Sequence, residues 1–182
     1  MKKIFVFLFL LLIEINPSYS IVFLEPYVGY ATGAYHSKSI ISGDPVNLDS
    51  KLDGISYGGR GGLSLSGLQI GFDYTKNEQK VKEYEDLATK NITTQEKTFF
   101  LGYRFYFLRF YAGYIFDVDL KEGDFKSGKG VKGGFSFYLF NNLALSLEGR
   151  TVDMDAYKNS DGDDIDGNYS NLALLLSVPV EF

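Results

Sequence analysis

The end of the chain, residues 171–182, alternates between apolar and mixed positions and finishes on an aromatic residue. One face of this alternation is wholly apolar, and it consists of Leu172, Leu174, Leu176, Val178, Val180 and Phe182. A repeat of two residues is the repeat of a β-strand, because successive side chains point to opposite sides of the sheet. A tilted strand of about 9–11 residues is long enough to cross a bilayer. The stretch therefore predicts a strand with one face toward lipid.

The same repeat recurs along the chain after residue 20, where no stretch has apolar residues at helical spacing. It predicts eight strands, at about 22–31, 55–65, 68–75, 97–105, 108–116, 129–139, 143–152 and 168–182. An even number of strands with apolar outer faces closes into a barrel without free edges, as a membrane requires. We therefore predict an all-β fold, an eight-stranded antiparallel up-and-down transmembrane β-barrel. The alternative is a soluble lipocalin-like barrel with its apolar face inward; here the larger, more uniformly apolar face excludes the charged residues, which favours the membrane.

The predicted connections alternate in length. Residues 66–67 and 106–107 form two-residue turns, which keep the flanking apolar residues on one face. The third short turn, 140–142, needs three residues to keep the flanking apolar residues on one face. We therefore predict a bulge there. The other connections are long and polar, and they cover about 32–54, 76–96, 117–128 and 153–167. Short turns at one rim and long loops at the other are the layout of outer-membrane barrels.

The start of the chain has the pattern of a secretory signal. Lys2 and Lys3 precede an apolar run, and the small residues Ser18 and Ser20 follow it. We expect a signal peptide over residues 1–20 and an outer-membrane β-barrel domain over 21–182; an uncleaved N-terminal anchor is the alternative. The chain has no cysteine and a net charge of −5, which excludes disulfides and thiolate metal sites and argues against nucleic-acid binding.

In these features the chain resembles the small OmpA/OmpX-like family of outer-membrane β-barrels. The resemblance rests on the segment 25–30, Glu-Pro-Tyr-Val-Gly-Tyr, on the eight-strand pattern and on the terminal Phe182. It implies a bacterial outer-membrane location, contact with outer-membrane lipid and lipopolysaccharide, and no peptidoglycan-binding domain. It also implies that the last strand with Phe182 is the insertion signal read by the barrel-assembly machinery. It implies fold and location far better than activity.

Nine charged residues fall on the predicted inner face, and they form a predicted lumenal charge network: Glu25, Arg60, Asp73, Arg104, Arg109, Lys132, Glu148, Arg150 and Glu181. Side chains fill the interior of an eight-stranded barrel, and buried charges must be paired. We therefore predict a polar plug, with Arg60 paired to Asp73, and Arg150 or Arg104 paired to Glu148. The alternative is a gate or narrow pore in which ion pairs exchange.

The predicted loops offer little chemistry. The acidic stretch 153–167 has oxygen ligands for calcium, but its spacing does not fit an EF-hand, so we expect a solvated loop and no metal. His36 is the only histidine and lies beside Ser37 and Ser39. A catalytic histidine needs a fixed nucleophile and an orienting acid, and adjacent loop serines do not provide that geometry. We expect no enzyme, no catalytic residue and no cofactor.

The sequence thus predicts a structural or surface-interaction role, with an extracellular ligand bound at the long loops. The alternative is a narrow porin-like channel for passive diffusion of small solutes or ions. A lipid-modifying enzyme is a third class, and it rests on His36 alone.

Overall fold

A computed structural model describes residues 22–41, 44–83, 90–121, 127–140, 142–158 and 164–182. The predicted signal peptide, residues 1–20, lies outside the described residues. Within them, no helix has the length and apolar character needed to cross a membrane.

The described chain folds into antiparallel strands, which are β1 (Val22–Ile41), β2 (Asp44–Leu65), β3 (Leu68–Glu83), β4 (Lys90–Phe105), β5 (Leu108–Leu120), β6 (Gly128–Phe140), β7 (Leu143–Lys158), β8 (Asp164–Ser177) and β9 (Val180–Glu181). Each strand from β1 to β8 pairs with the next, and β1 pairs with β8, which closes the barrel. The short β9 continues the last strand beyond Pro179 and also pairs with β1, because proline has no N–H for the ladder. The predicted eight-stranded antiparallel barrel is therefore confirmed.

The faces of the strands also follow the prediction. The side chains toward the outside form an exposed apolar belt, which includes Leu24, Val28, Leu63, Ile70, Phe72, Leu101, Phe110, Phe135, Leu174 and Leu176. The positions between them point inward and are largely polar. An exposed apolar surface of this extent is stable only against lipid, so the barrel spans a membrane.

The short turns hold the strands in register at one end, which we call the short-turn end. Ser66 and Gly67 have φ values of 49° and 85°, the pair of left-handed residues that a tight hairpin turn requires. The predicted bulge in the third turn is confirmed, because the pairing shifts between Tyr138 and Phe140. A further bulge lies in β5, where Lys97 faces Asp117 while Thr98 faces Ile115.

The predicted long loops are wrong in extent, because much of each is strand. β1 and β2 stay paired as far as Ile41 and Asp44, although residues 32–54 were expected to form a loop. The same holds for 76–96, 117–128 and 153–167, into which strands extend from one or both sides. These stretches keep the two-residue repeat while their outer positions become polar. We call this side of the barrel the long-hairpin end.

The polarity of the two faces inverts at the long-hairpin end. The inner positions there form an apolar cap, which comprises Leu52, Ile92, Ile115, Val118, Leu120, Val152, Met154 and Tyr169. Their outward neighbours are polar: Lys51 and Asp119, for example, are exposed. An apolar inside with a polar outside is the arrangement of a soluble barrel. The strands therefore continue beyond the membrane as a packed, water-facing extension.

Candidate functional site

Eight ionisable side chains fill the middle of the barrel, and we call them the lumenal network: Glu25, Arg60, Asp73, Glu96, Arg109, Lys132, Glu148 and Arg150. Each has a relative exposure of 3% or less. The two-residue repeat of seven strands directs these side chains to a common interior. Four are cationic and four are anionic, so the network is neutral.

Arg60 on β2 lies at the centre of the network. Its Nε donates to Asp73 Oδ2 at 2.8 Å, and its Nη2 donates to Glu148 Oε2 at 2.7 Å. The guanidinium also stacks on two tyrosine rings, at 4.8 Å from the centroid of Tyr27 and 4.3 Å from that of Tyr111. One cation thus joins β2, β3, β5 and β7 across the lumen.

Glu148 on β7 also lies close to the cations Arg150 and Lys132. Arg150 Nη2 donates to Glu148 Oε1 at 2.6 Å, and Lys132 Nζ lies 3.8 Å from the same oxygen. Lys132 Nζ also contacts Asp73 Oδ2 at 2.8 Å. The Tyr111 hydroxyl donates to Glu148 Oε2 at 2.9 Å. Both carboxylate oxygens of Glu148 are therefore held by several donors, as a buried charge requires.

Glu25 and Arg109 form a second centre nearer the short-turn end. Both terminal nitrogens of Arg109 donate hydrogen bonds to the Glu25 carboxylate. This bidentate geometry is among the strongest pairings of these groups. Arg109 Nη2 also donates to Ser136 Oγ at 2.8 Å. The Arg60 guanidinium lies 3.6 Å from Glu25 Oε1 and links this pair to the centre of the network.

Glu96 belongs to the network although sequence reasoning missed it. Arg150 Nη1 lies 3.0 Å from Glu96 Oε2, and the Tyr169 hydroxyl donates to Glu96 Oε1 at 2.6 Å. Asn77 Nδ2 donates to the same oxygen at 2.8 Å. The sequence pattern predicts Glu96 at the end of a loop, but it shares the inward parity of Phe100 on β4. That parity is the signal that identifies it.

Arg104 and Glu181 stand apart from the network, at the rim of the short-turn end. Arg104 Nη1 donates to Glu181 Oε1 at 2.7 Å, and the two side chains are 24% and 27% exposed. The hypothesis that Arg104 pairs with Glu148 is therefore wrong, because β4 and the chain terminus meet at the rim, well away from Glu148. The hypothesised Arg60–Asp73 and Arg150–Glu148 contacts are present.

Apolar side chains pack against the lumenal network along the barrel axis. Phe23, Phe100 and Tyr111 form a buried cluster on the short-turn side, with the two phenylalanine rings in edge-to-face contact at 5.9 Å. The apolar cap lies on the long-hairpin side. On the short-turn side, buried polar side chains such as Gln69, Ser136 and Ser146 accompany this cluster, so only the long-hairpin side is closed by an apolar cap.

The histidine and the acidic stretch show no catalytic or metal geometry in the part that the structure describes. His36 Nδ1 lies 2.7 Å from Asp49 Oδ1 on the neighbouring strand, and both side chains are exposed. Ser37 alternates to the opposite face of β1. Among the described residues, no group of three or more His, Asp or Glu side chains is placed to hold a metal. The middle of the acidic stretch, residues 159–163, lies outside the described residues.

Comparisons with known proteins give similar folds and no relative in sequence. No protein-family model matches the chain, and no curated protein sequence matches it. The chain is similar to the Neisserial surface protein A, with a TM-score of 0.43 and 18% identity over 84% of this chain and 96% of that one. It is similar to the outer-membrane protease OmpT of Escherichia coli, with a TM-score of 0.47 and 10% identity over 92% and 98% of the two chains. It is also similar to Ail, the attachment invasion locus protein of Yersinia pestis in complex with a heparin analogue, with a TM-score of 0.43 and 11% identity over 85% and 99%.

Proposed function

We propose that the protein resides in a bacterial outer membrane as a closed barrel and acts through its extramembrane hairpins, in a structural or surface-interaction role. The lumenal network is the observation that carries the proposal. An ion that crossed the barrel would have to separate buried ion pairs, and breaking one such pair costs about 3–5 kcal/mol. The apolar cap adds a dry barrier on the long-hairpin side. These features argue against the alternative, a narrow channel for small solutes or ions.

The hairpins supply the surface for such a role. The β1–β2 hairpin continues from the level of Tyr30 and Ile55, which face each other, to Ile41 and Asp44. At about 3.3 Å per residue and a strand tilt of about 40°, this part rises roughly 30 Å along the barrel axis. At the base of this hairpin Leu52 belongs to the apolar cap, and the partly buried Tyr35 packs against it. A protruding surface with polar outward positions favours contact with molecules outside the membrane.

Conductance in a planar bilayer tests the closed lumen. We expect the wild-type chain to insert and remain silent. A triple variant, Arg60→Ala with Arg104→Ala and Arg109→Ala, removes three cations along the lumen and serves as the comparison. Insertion of each chain is checked by protease protection in the same lipid. Discrete wild-type conductance steps that change in the triple variant would overturn the proposal in favour of the channel.

Protease treatment of intact cells tests the location and the exposed hairpins. We expect cleavage within the hairpins at the long-hairpin end and protection of the turns at residues 66–67 and 106–107. A variant in which residues 37–48 are replaced by Asn-Gly is the matched control, because His36 and Asp49 face each other in register. This variant should remain inserted and silent while losing cleavage at that hairpin. Complete protection of the wild-type protein on intact cells would contradict a surface role.

A further inference from the structure

An ion pair bridges the mouth of the lumen at the short-turn end. Arg104 lies on β4 and Glu181 on β9, with β1, β2 and β3 between them in the sheet. In a closed barrel of eight strands this separation places the two residues on opposite sides of the lumen. Arg104 Nη1 nevertheless donates to Glu181 Oε1 at 2.7 Å, and its guanidinium stacks on Tyr138 at 4.0 Å from the ring centroid. Further inside, Gln69, Ser136 and Tyr138 are buried.

Glu181 belongs to the segment 178–182, which is attached to the barrel by an incomplete strand pairing. Among the described strands, β9 pairs only with β1, through two residue pairs, and the pairing of β8 with β7 ends at Ser177. Val178 N donates to Pro26 O at 3.0 Å, but proline has no N–H to return the bond. A strand end with few contacts is where local opening has its lowest cost. The ion pair with Arg104 therefore secures the part of the wall that opens most easily.

The segment 178–182 covers the second centre of the lumenal network, the pair of Glu25 and Arg109. β9 keeps the register in which β8 pairs with β1, which places Glu25 opposite Pro179, and Pro179 is buried. Movement of the segment away from β1 would give water access to Glu25. Neither the Tyr138 hydroxyl nor Gln69 Oε1 has a hydrogen-bond partner among the described residues. Hydration of these two groups offsets part of the cost of opening.

We propose that the segment 178–182 is a flap and that the Arg104–Glu181 pair is the latch that keeps it closed over the short-turn side of the lumen. The flap moves away from β1 about Ser177, while β1 to β8 stay paired. A partly exposed ion pair contributes far less than buried ones, so the latch opens while the lumenal network remains intact. Water then reaches Glu25 and Arg109, but no path through the barrel forms. The inference does not depend on the surface role proposed above.

Amide hydrogen exchange tests the flap, with the chain refolded in zwitterionic micelles and each amide followed by NMR. The reporters are the amides of Val180 and Phe182, which pair with β1, and Leu174 in the middle of β8 is the internal reference. We expect Arg104→Gln to speed exchange at both reporters about fivefold, as loss of a partly exposed ion pair implies, and to leave Leu174 unchanged. Raised salt should speed the reporters in the wild-type protein, because it screens the latch, and should have no such effect in Arg104→Gln.

Two further variants separate the latch from a general loss of charge. Lys97→Gln breaks an exposed ion pair with Asp117 at the other end of the barrel and should leave exchange at the reporters unchanged. The charge swap Arg104→Glu with Glu181→Arg should restore the wild-type exchange rates. Unchanged reporters in Arg104→Gln, or a swap variant that exchanges as fast as Arg104→Gln, would overturn the latch.

Access of water to the lumen is measured separately with a thiol. The chain has no cysteine, so Ser136→Cys introduces one thiol at a buried position beside Arg109. We expect a charged, water-soluble thiol reagent to label this cysteine about fivefold faster when Arg104→Gln is added, in step with the amide reporters. Equal labelling rates with and without Arg104→Gln would show that the flap does not cover the lumen, and would overturn the proposal.

Discussion

Neutralising Glu148 is the most direct way to test whether the barrel depends on its lumenal network. Glu148 is fully buried and accepts hydrogen bonds from Arg60, Arg150 and Tyr111, with Lys132 close by. Glu148→Gln keeps the shape but leaves four cations against three anions. Breaking a buried pair by removing one partner costs about 3–5 kcal/mol. We expect the free energy of unfolding to fall by that amount.

Arg104→Gln is the matched comparison, because it breaks an ion pair in the same barrel without burying a charge. Arg104 and Glu181 are 24% and 27% exposed, and a solvent-screened pair contributes about 0–1 kcal/mol. Both variants are unfolded in urea from vesicles of the same lipid, with far-ultraviolet circular dichroism as the probe, since the chain has no tryptophan. A loss for Glu148→Gln no larger than that for Arg104→Gln would refute the reasoning that the network is dry and tightly coupled.

Three further predictions concern the belt, the cap and the glycines. Leu101→Arg places a charge in the middle of the belt and should destabilise the barrel in lipid by about 2–4 kcal/mol, whereas Gln95→Arg, further along the same face, should have little effect; unfolding in vesicles measures both. Leu52→Ala empties part of the apolar cap and should cost about 2–5 kcal/mol, against less than about 0.5 kcal/mol for the exposed Lys51→Ala; equal losses in urea titrations would mean that the cap is not packed. Gly71→Ala should impair folding because its Cβ would lie 2.1 Å from the Gly61 carbonyl oxygen, whereas Gly149→Ala should refold normally, as heat-dependent gel mobility would report.

The sequence predicts the barrel because one physical rule governs the membrane part. Lipid outside and packed polar groups inside force a strict two-residue repeat, and Leu172, Leu174 and Leu176 display it without interruption. The rule changes where the strands leave the membrane. Around Leu52 the two-residue repeat persists, but apolar residues point inward and polar ones outward. A search for outward apolar residues therefore assigns these strand segments to loops. The predicted loops were too long for this reason.

Partners across the lumen could not be predicted in the same way. The Arg60–Asp73 pair joins facing residues of one hairpin, and adjacency in the hairpin is enough to suggest it. The Arg60–Glu148 contact joins residues 88 positions apart on β2 and β7, and it depends on the tilt and stagger of the closed barrel. The same stagger brings Arg104 to Glu181. The two-residue repeat identifies which charged residues point inward, but their partners depend on the geometry of the closed barrel.

Glu96 bears both on where β4 ends and on how the buried charges are paired. Without it the buried interior would hold four cations and three anions, and an uncompensated buried charge costs several kcal/mol. A strand that began at residue 97 would leave Arg150 without the carboxylate that lies 3.0 Å away. Charge balance in the lumen therefore requires β4 to extend at least to Glu96. Since the inner face becomes apolar at Ile92, four residues or two repeats from Glu96, the lumenal network and the apolar cap meet within a few residues of β4. The closed lumen and the base of the extramembrane hairpins are thus produced by the same continuous strands.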